Sequence, residues 1–226
     1  MSQPIRIRPA TPTDLPTLIK ILIAAFAPGP WNTLLFPPAL CTHPSDESDW
    51  RLSVTAAQLG RPGHTHAVAA SLEGQNGEKI LGWAHWVDTA AAGAATDLTS
   101  ESTSTETTAV ASRTTPPGLD TVALARMRED GAAVERLARE ALGEDNWKDA
   151  IELRYLMIDP PHQRKGVGRL LVQTMLDRAA AAGKAVWVRS TLGGRELYLV
   201  MGFEKVGEGR ACGERQFAMV KRAGCQ

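Results

Sequence analysis

The stretch from Ile151 to Gly183 limits the fold more than any other part of the chain. Ile151-Glu152-Leu153-Arg154-Tyr155-Leu156-Met157-Ile158 is an apolar-rich run of strand length, and Asp159-Pro160-Pro161 ends it because proline has no amide to give a ladder. Leu171, Val172, Met175, Leu176 and Ala179 then recur at helical spacing, which predicts a helix from near Gly168 to Ala182-Gly183 with one buried stripe. Between strand and helix lies Gln163-Arg164-Lys165-Gly166-Val167-Gly168-Arg169. Glycines without Cβ atoms let backbone N–H groups approach an anion, and the start of a helix adds partial positive charge at the same spot. Arg164, Lys165 and Arg169 place full charges close by, so this turn is read as an anion cradle.

The familiar nucleotide loops do not fit it. A dinucleotide fingerprint G-x-G-x-x-G needs a third glycine where Leu171 stands, and no Gly-Lys-Ser or Gly-Lys-Thr string follows four spacers as a triphosphate loop requires. The anion site must also be local. Twenty-five Lys plus Arg balance 25 Asp plus Glu, so the surface as a whole does not suit a nucleic acid.

Elsewhere the pattern is mixed α/β. Ile5-Arg6-Ile7-Arg8-Pro9 alternates as a strand, and a helix capped by Thr13 or Asp14 follows, with Leu15, Leu18, Ile19, Leu22 and Ile23 as its buried stripe. A second helix is expected from Ser45 to about Leu59, with Trp50, Val54 and Ala57 on one side. His66 to Leu72 and Ile80 to Val87 read as two strands of a hairpin. His64, His66 and His85 belong to that sheet; no carboxylate or cysteine pattern accompanies them, and no metal site is expected. Residues 89–118 are rich in Ala, Ser and Thr with few large apolar side chains, which predicts a flexible insertion within a single domain spanning 1–226. A helix follows with Val134, Leu137, Ala138, Ala141 and Leu142 on one face and Gly143 as its stop, and later come a strand at Ala185 to Val188, a helix from Gly194 to Met201, and strands at Glu204 to Val206 and Gln216 to Val220. Three scattered cysteines suit reduced thiols and a cytoplasmic protein. Nothing approaches the roughly 20 apolar residues of a membrane helix.

Two segments carry a family resemblance. Leu156 through Leu171, with Gln163 followed after two residues by Gly166 and then by Gly168, resembles motif A of the GNAT superfamily of N-acetyltransferases. Arg195-Glu196-Leu197-Tyr198-Leu199-Val200-Met201-Gly202-Phe203 resembles the same family's motif B, with Leu-Tyr followed after three residues by Gly-Phe. The clear resemblance covers Ile151 to Val206, and a fainter one covers Ile5 to Phe26. It implies a mixed, mostly antiparallel central sheet with splayed strands and flanking helices.

The resemblance also implies the chemistry. Acetyl-CoA is the expected cosubstrate, with its pyrophosphate on the backbone amides of Arg164, Lys165, Gly166, Val167, Gly168 and Arg169 beside Gln163, and its pantetheine arm paired with the main chain of Leu156, Met157 and Ile158. Tyr198 matches the tyrosine that protonates the leaving thiolate. Glu152 stands fourteen residues before Gly166, where histone-acetylating relatives carry a glutamate base. One position departs: relatives have Asn seven residues before the tyrosine to contact CoA, and here Thr191 offers a hydroxyl instead. The expected activity is direct attack of a primary amine, on a small molecule or a peptide, within a ternary complex. The expected partners include neither nucleic acid nor membrane, and the expected state is a monomer or homodimer. A non-catalytic module that binds or senses CoA is the competing class, and the identity of the amine is not written in these residues.

Overall fold

Alternation from Ile5 to Pro9 forms strand β1 (Ile5–Pro9) in the computed structural model, which describes residues 4–27, 29–72, 77–97 and 115–224. The chain then turns on a charged knot. The Asp14 carboxylate accepts hydrogen bonds from the Thr11 amide (2.7 Å) and hydroxyl (2.9 Å) and from both ends of the Arg8 guanidinium (2.8 and 2.9 Å). A Thr11–Asp14 box around a short 3-10 turn thus leads into the helix, whose N-cap position is Asp14, one of the two expected. Helix α1 (Leu15–Phe26) follows and buries Leu15, Leu18, Ile19, Ile21 and Leu22, each worth about 1.5–3 kcal/mol when removed from water. The indole N–H of Trp83 donates to the Leu18 carbonyl at 3.0 Å and fixes the helix on the sheet.

The proline-rich segment contains a short helix, α2 (Trp31–Leu35), and leads to α3 (Asp46–Gln58). The buried face of α3 is not the expected one. Arg51 and Thr55 turn inward while Ala57 is exposed, because Arg51 finds Glu47 (2.8 Å) and Asn32 (3.2 Å), and a paired guanidinium is tolerated where it packs. Strands β2 (His64–Leu72) and β3 (Glu78–Asp88) form the expected antiparallel hairpin. Helix α4 (Thr89–Asp97) continues directly from β3, so the alanine-rich start of the expected insertion is helical; residues 98–114, on which most of the flexible-loop expectation falls, lie outside the described residues. Asp120 then accepts from the Ala123 amide at 2.9 Å to start α5 (Thr121–Leu142), which stops at Gly143 with φ +76° and gives way to the short α6 (Glu144–Lys148).

The remaining elements are β4 (Ile151–Ile158), α7 (Val167–Ala181), β5 (Val186–Thr191), α8 (Leu192–Val200), β6 (Glu204–Ala211) and β7 (Glu214–Lys221). The seven strands form one sheet in the order β1-β2-β3-β4-β5-β7-β6, and β4–β5 is its parallel pair. Helices α7 and α8 cover one face: Leu171, Val172, Met175 and Tyr198 pack with Leu153, Val188 and Phe217. On the other face α1 packs over Trp83 and Met157, and α5 packs Val134, Ala138 and Leu142 over Trp187 and Val220.

One irregularity bends the middle of the sheet. The register between β3 and β4 passes from Trp86↔Leu153 to His85↔Tyr155, leaving Arg154 as an extra residue in β4. Ile151 and Leu153 before this bulge, and Leu156 and Ile158 after it, pack with the α7 core, while Tyr155 and Met157 pack with α1. The same kink parts β4 from β5, whose parallel pairing runs only over Ile151↔Val186, Glu152↔Trp187 and Leu153↔Val188.

Candidate active site

The parting of β4 and β5 makes a wedge, and the start of α7 fills its floor. Gly168, in the first turn of α7, comes so close to Ile158, Leu156 and Leu197 that a Cβ there would lie 3.7 Å from each of the first two and 3.4 Å from the third. The amide of Gln163 donates to the Ile158 carbonyl at 3.2 Å and ties the turn to the strand end. Arg164 (φ +60°) and Gly166 (φ +84°) both lie in the left-handed region, and a chain bent this way gathers successive N–H groups into a concave nest. No side chain caps α7 and no acid occupies its first turn.

Three cations crowd this positive helix end. Arg164, Lys165 and Arg169 are all exposed, and none forms an ion pair among the described residues. Like charges beside a helix amino terminus repel its dipole, so the arrangement is stable only with an anion in place or with water screening it. Val167 is 2% exposed and Met157 6%, so these two offer main chain to a ligand, not side chain.

Helix α8 brings the tyrosine. Gly194 lets its first turn pack against the end of β5, where a Cβ would lie 3.2 Å from Ser190 Oγ, 3.4 Å from Tyr198 Cε2 and 3.7 Å from Thr191 Oγ1. Tyr198 lies in the α7–α8 core with its ring 5.4 Å from Phe203, and its hydroxyl makes no hydrogen bond among the described residues. Burial pushes its phenol well above the usual range, so it remains a proton carrier at any physiological pH. Thr191 is exposed as the last residue of β5, with its side chain free of any capping bond.

Glu152 faces the opposite side of the sheet from Tyr198. Its register partner Trp187 packs under α5, and its carboxylate accepts from Arg154 Nε at 2.8 Å. The structure therefore places Tyr198 and Glu152 on the two faces of the sheet, beside the wedge between β4 and β5, and not in contact with each other. Sequence reading missed three charged neighbours: Arg154 in the bulge, Arg189 on β5 and Glu135 on α5. Desolvation, then the Glu152 carboxylate, raises Glu135, while Arg189 and Arg154 act against the shift. The signal for Arg189 was a charge directly after the apolar run Val186-Trp187-Val188.

The histidines do assemble. His66 and His85 stack at 4.0 Å, and His64 Nδ1 and His85 Nε2 are 3.1 Å apart, yet no group of His, Cys, Asp and Glu among the described residues is placed to hold a metal ion. No described helix is long and apolar enough to cross a membrane. An open groove lined by Phe36, Cys41, Thr42, His43 and Glu47 lies in the α2–α3 segment.

Residues 126–221, which hold both the wedge and the nest, match the family model of the acetyltransferase (GNAT) domain. Over that stretch the chain is similar to the GNAT acetyltransferase domain. Its fold is likewise that of solved acetyltransferases. Similar structures include histone acetyltransferase HPA2 and related acetyltransferase of Corynebacterium glutamicum (TM-score 0.55, 17% identity, 98% of each chain covered). The arylalkylamine N-acetyltransferase like 5b of mosquito aligns with TM-score 0.55 and 16% identity over 96% of this chain and 99% of its own. The structure of yncA from Salmonella typhimurium with its cofactor acetyl-CoA aligns with TM-score 0.52 and 17% identity over 99% of this chain and 96% of its own. A comparison with curated proteins finds no match. Both candidate catalytic side chains, Tyr198 and Glu152, fall within the matched residues.

Proposed function

We propose that this protein is a GNAT acetyltransferase that transfers an acetyl group from acetyl-CoA to a primary amine by direct attack. The observation that carries the reading is the wedge: β4 leaves β5 after Leu153, and its open edge runs beside an uncapped helix start carrying three cations that have no ion pair among the described residues. A diphosphate suits the nest from Arg164 to Arg169, and an extended amide-bearing arm suits the open main chain of Leu156 to Ile158 as an added strand. The yncA structure, solved with acetyl-CoA, supports the same ligand for this fold.

In this reading the amine nitrogen attacks the thioester carbonyl, a C–N bond forms, and the C–S bond breaks. Main-chain N–H groups of β4 stabilise the carbonyl oxygen as it gains charge. Tyr198 gives its proton to the departing thiolate, for which a buried phenol held protonated is suited. The amine must shed a proton, and Glu152, directly or through water, receives it. Thr191 offers its hydroxyl to the cosubstrate where relatives use Asn.

Calorimetry with CoA and a thioester-consumption assay over pooled amines, with products identified by mass spectrometry, test this together. Binding plus acetylated amine supports the reading. Binding without transfer to any amine leaves a CoA-binding module, and absence of binding removes the wedge assignment altogether.

A further inference from the structure

The acceptor side of the wedge carries a matched set of charges. Glu152 and Arg154 satisfy each other at 2.8 Å. Near them lie Glu135 and Asp130, from α5, and Arg189, from β5, with Asp130 accepting from the Cys212 amide at 3.3 Å. Arg189 stands two residues beyond Trp187, the register partner of Glu152, so its Cα lies about 8 Å from that of Glu152 for ordinary strand spacings. Alternation along β5 puts Arg189 on the same face as Trp187, at the level where β4 has already turned away.

The seat of Arg189 is shaped by its neighbour. A Cβ on Gly131, in the middle of α5, would run into Arg189 Nη1 and lie 3.0 Å from Cζ, so the guanidinium rests directly on the helix backbone. Any other residue at 131 would push it aside. The side chain is exposed, and it has no hydrogen bond or ion pair among the described residues. An exposed guanidinium seated in this way beside the wedge, with no partner among the described residues, can receive a carboxylate. Glu135 on the same flank offers the complementary charge for an ammonium.

We infer that the acceptor is a small amino acid whose carboxylate is received by Arg189 while its amine faces the thioester. This rests on the acetyltransferase reading and narrows its substrate class: simple alkylamines and polyamines lack the group that the Arg189 fork takes.

The test compares amino acids, their carboxamides and the matching decarboxylated amines as acceptors with acetyl-CoA, in the full-length protein, Arg189→Gln, Arg189→Lys and Gly131→Ala. Calorimetric binding of CoA to each variant shows that it is folded. The expected result is a kcat/KM preference for the free carboxylate of at least about tenfold, which Arg189→Gln erases and Arg189→Lys partly keeps. Gly131→Ala should raise Tm, since alanine favours the helix, yet weaken the preference by displacing the fork, a split that a merely structural arginine would not give. Transfer to amines without any carboxylate preference, or a preference that survives Arg189→Gln, overturns this inference alone. CoA binding without transfer to any amine overturns the acetyltransferase reading and this acceptor with it.

Discussion

His66 and His85 stack face to face at 4.0 Å with their planes 8° apart, and they are 4% and 0% exposed. Burial, then the His64 neighbour, lowers His66 to about 4. Burial, then His66 and Arg154, lowers His85 still further. In the unfolded chain both titrate near 6.5. The unfolded state therefore takes up protons first, so the fold keeps its full stability above about pH 6.5 and loses it as pH falls from there towards 4 and below. His66 alone accounts for about 3 kcal/mol of this acid sensitivity. Urea midpoints between pH 8 and 4 should fall steeply, and His66→Phe should flatten the curve; an unchanged slope would show that the imidazole is not the group protonated.

If Tyr198 is the proposed acid, Tyr198→Phe should lower turnover at least about a hundredfold with CoA affinity nearly unchanged, because that role acts on the departing thiolate and not on diphosphate binding. Since burial raises the phenol, no alkaline limb from Tyr198 should appear in the rate profile up to about pH 10. Stopped-assay kinetics beside calorimetry read both quantities.

Gly166 and Arg164 should separate stability from ligand affinity. Gly166→Ala forces a Cβ into φ +84° and should destabilise the protein by about 1 kcal/mol while weakening CoA. Arg164→Gly relieves the strain at φ +60° and should raise Tm, yet removing a cation of the proposed diphosphate cradle should still weaken CoA. Thermal melts with and without CoA check the opposite signs.

Glu152→Gln keeps the shape and removes the proposed base. Turnover should fall about tenfold to a thousandfold, and raising the pH should restore part of it because the free amine then needs less help. A rate profile identical to that of the unmodified protein would move the base elsewhere.

The strands and the amphipathic helices were legible because their signals are local. Strand β4, the stripe of α7 and the stop at Gly143 follow from spacing and from proline and glycine chemistry alone. The face of α3 was not, because Arg51 looks like a solvent residue until Glu47 and Asn32 come round it. The short helices α2 and α6 hold five residues each, too few to show a period. Among the candidate site residues, the nest was readable from Gly166 and Gly168, and the candidacy of Tyr198 rests on its spacing to Gly202-Phe203. Arg189 was hidden because its meaning depends on a helix 58 positions away touching it through Gly131.

The parallel seam between β4 and β5 amounts to three residue pairs. The sheet is accordingly two leaves, β1 to β4 and β5 to β7, hinged at that short stitch and backed by α7. A molecule lying along the open edge would lace the leaves together, so saturation of the wedge should slow hydrogen exchange at its far margins, in β1 and β6, which no ligand touches.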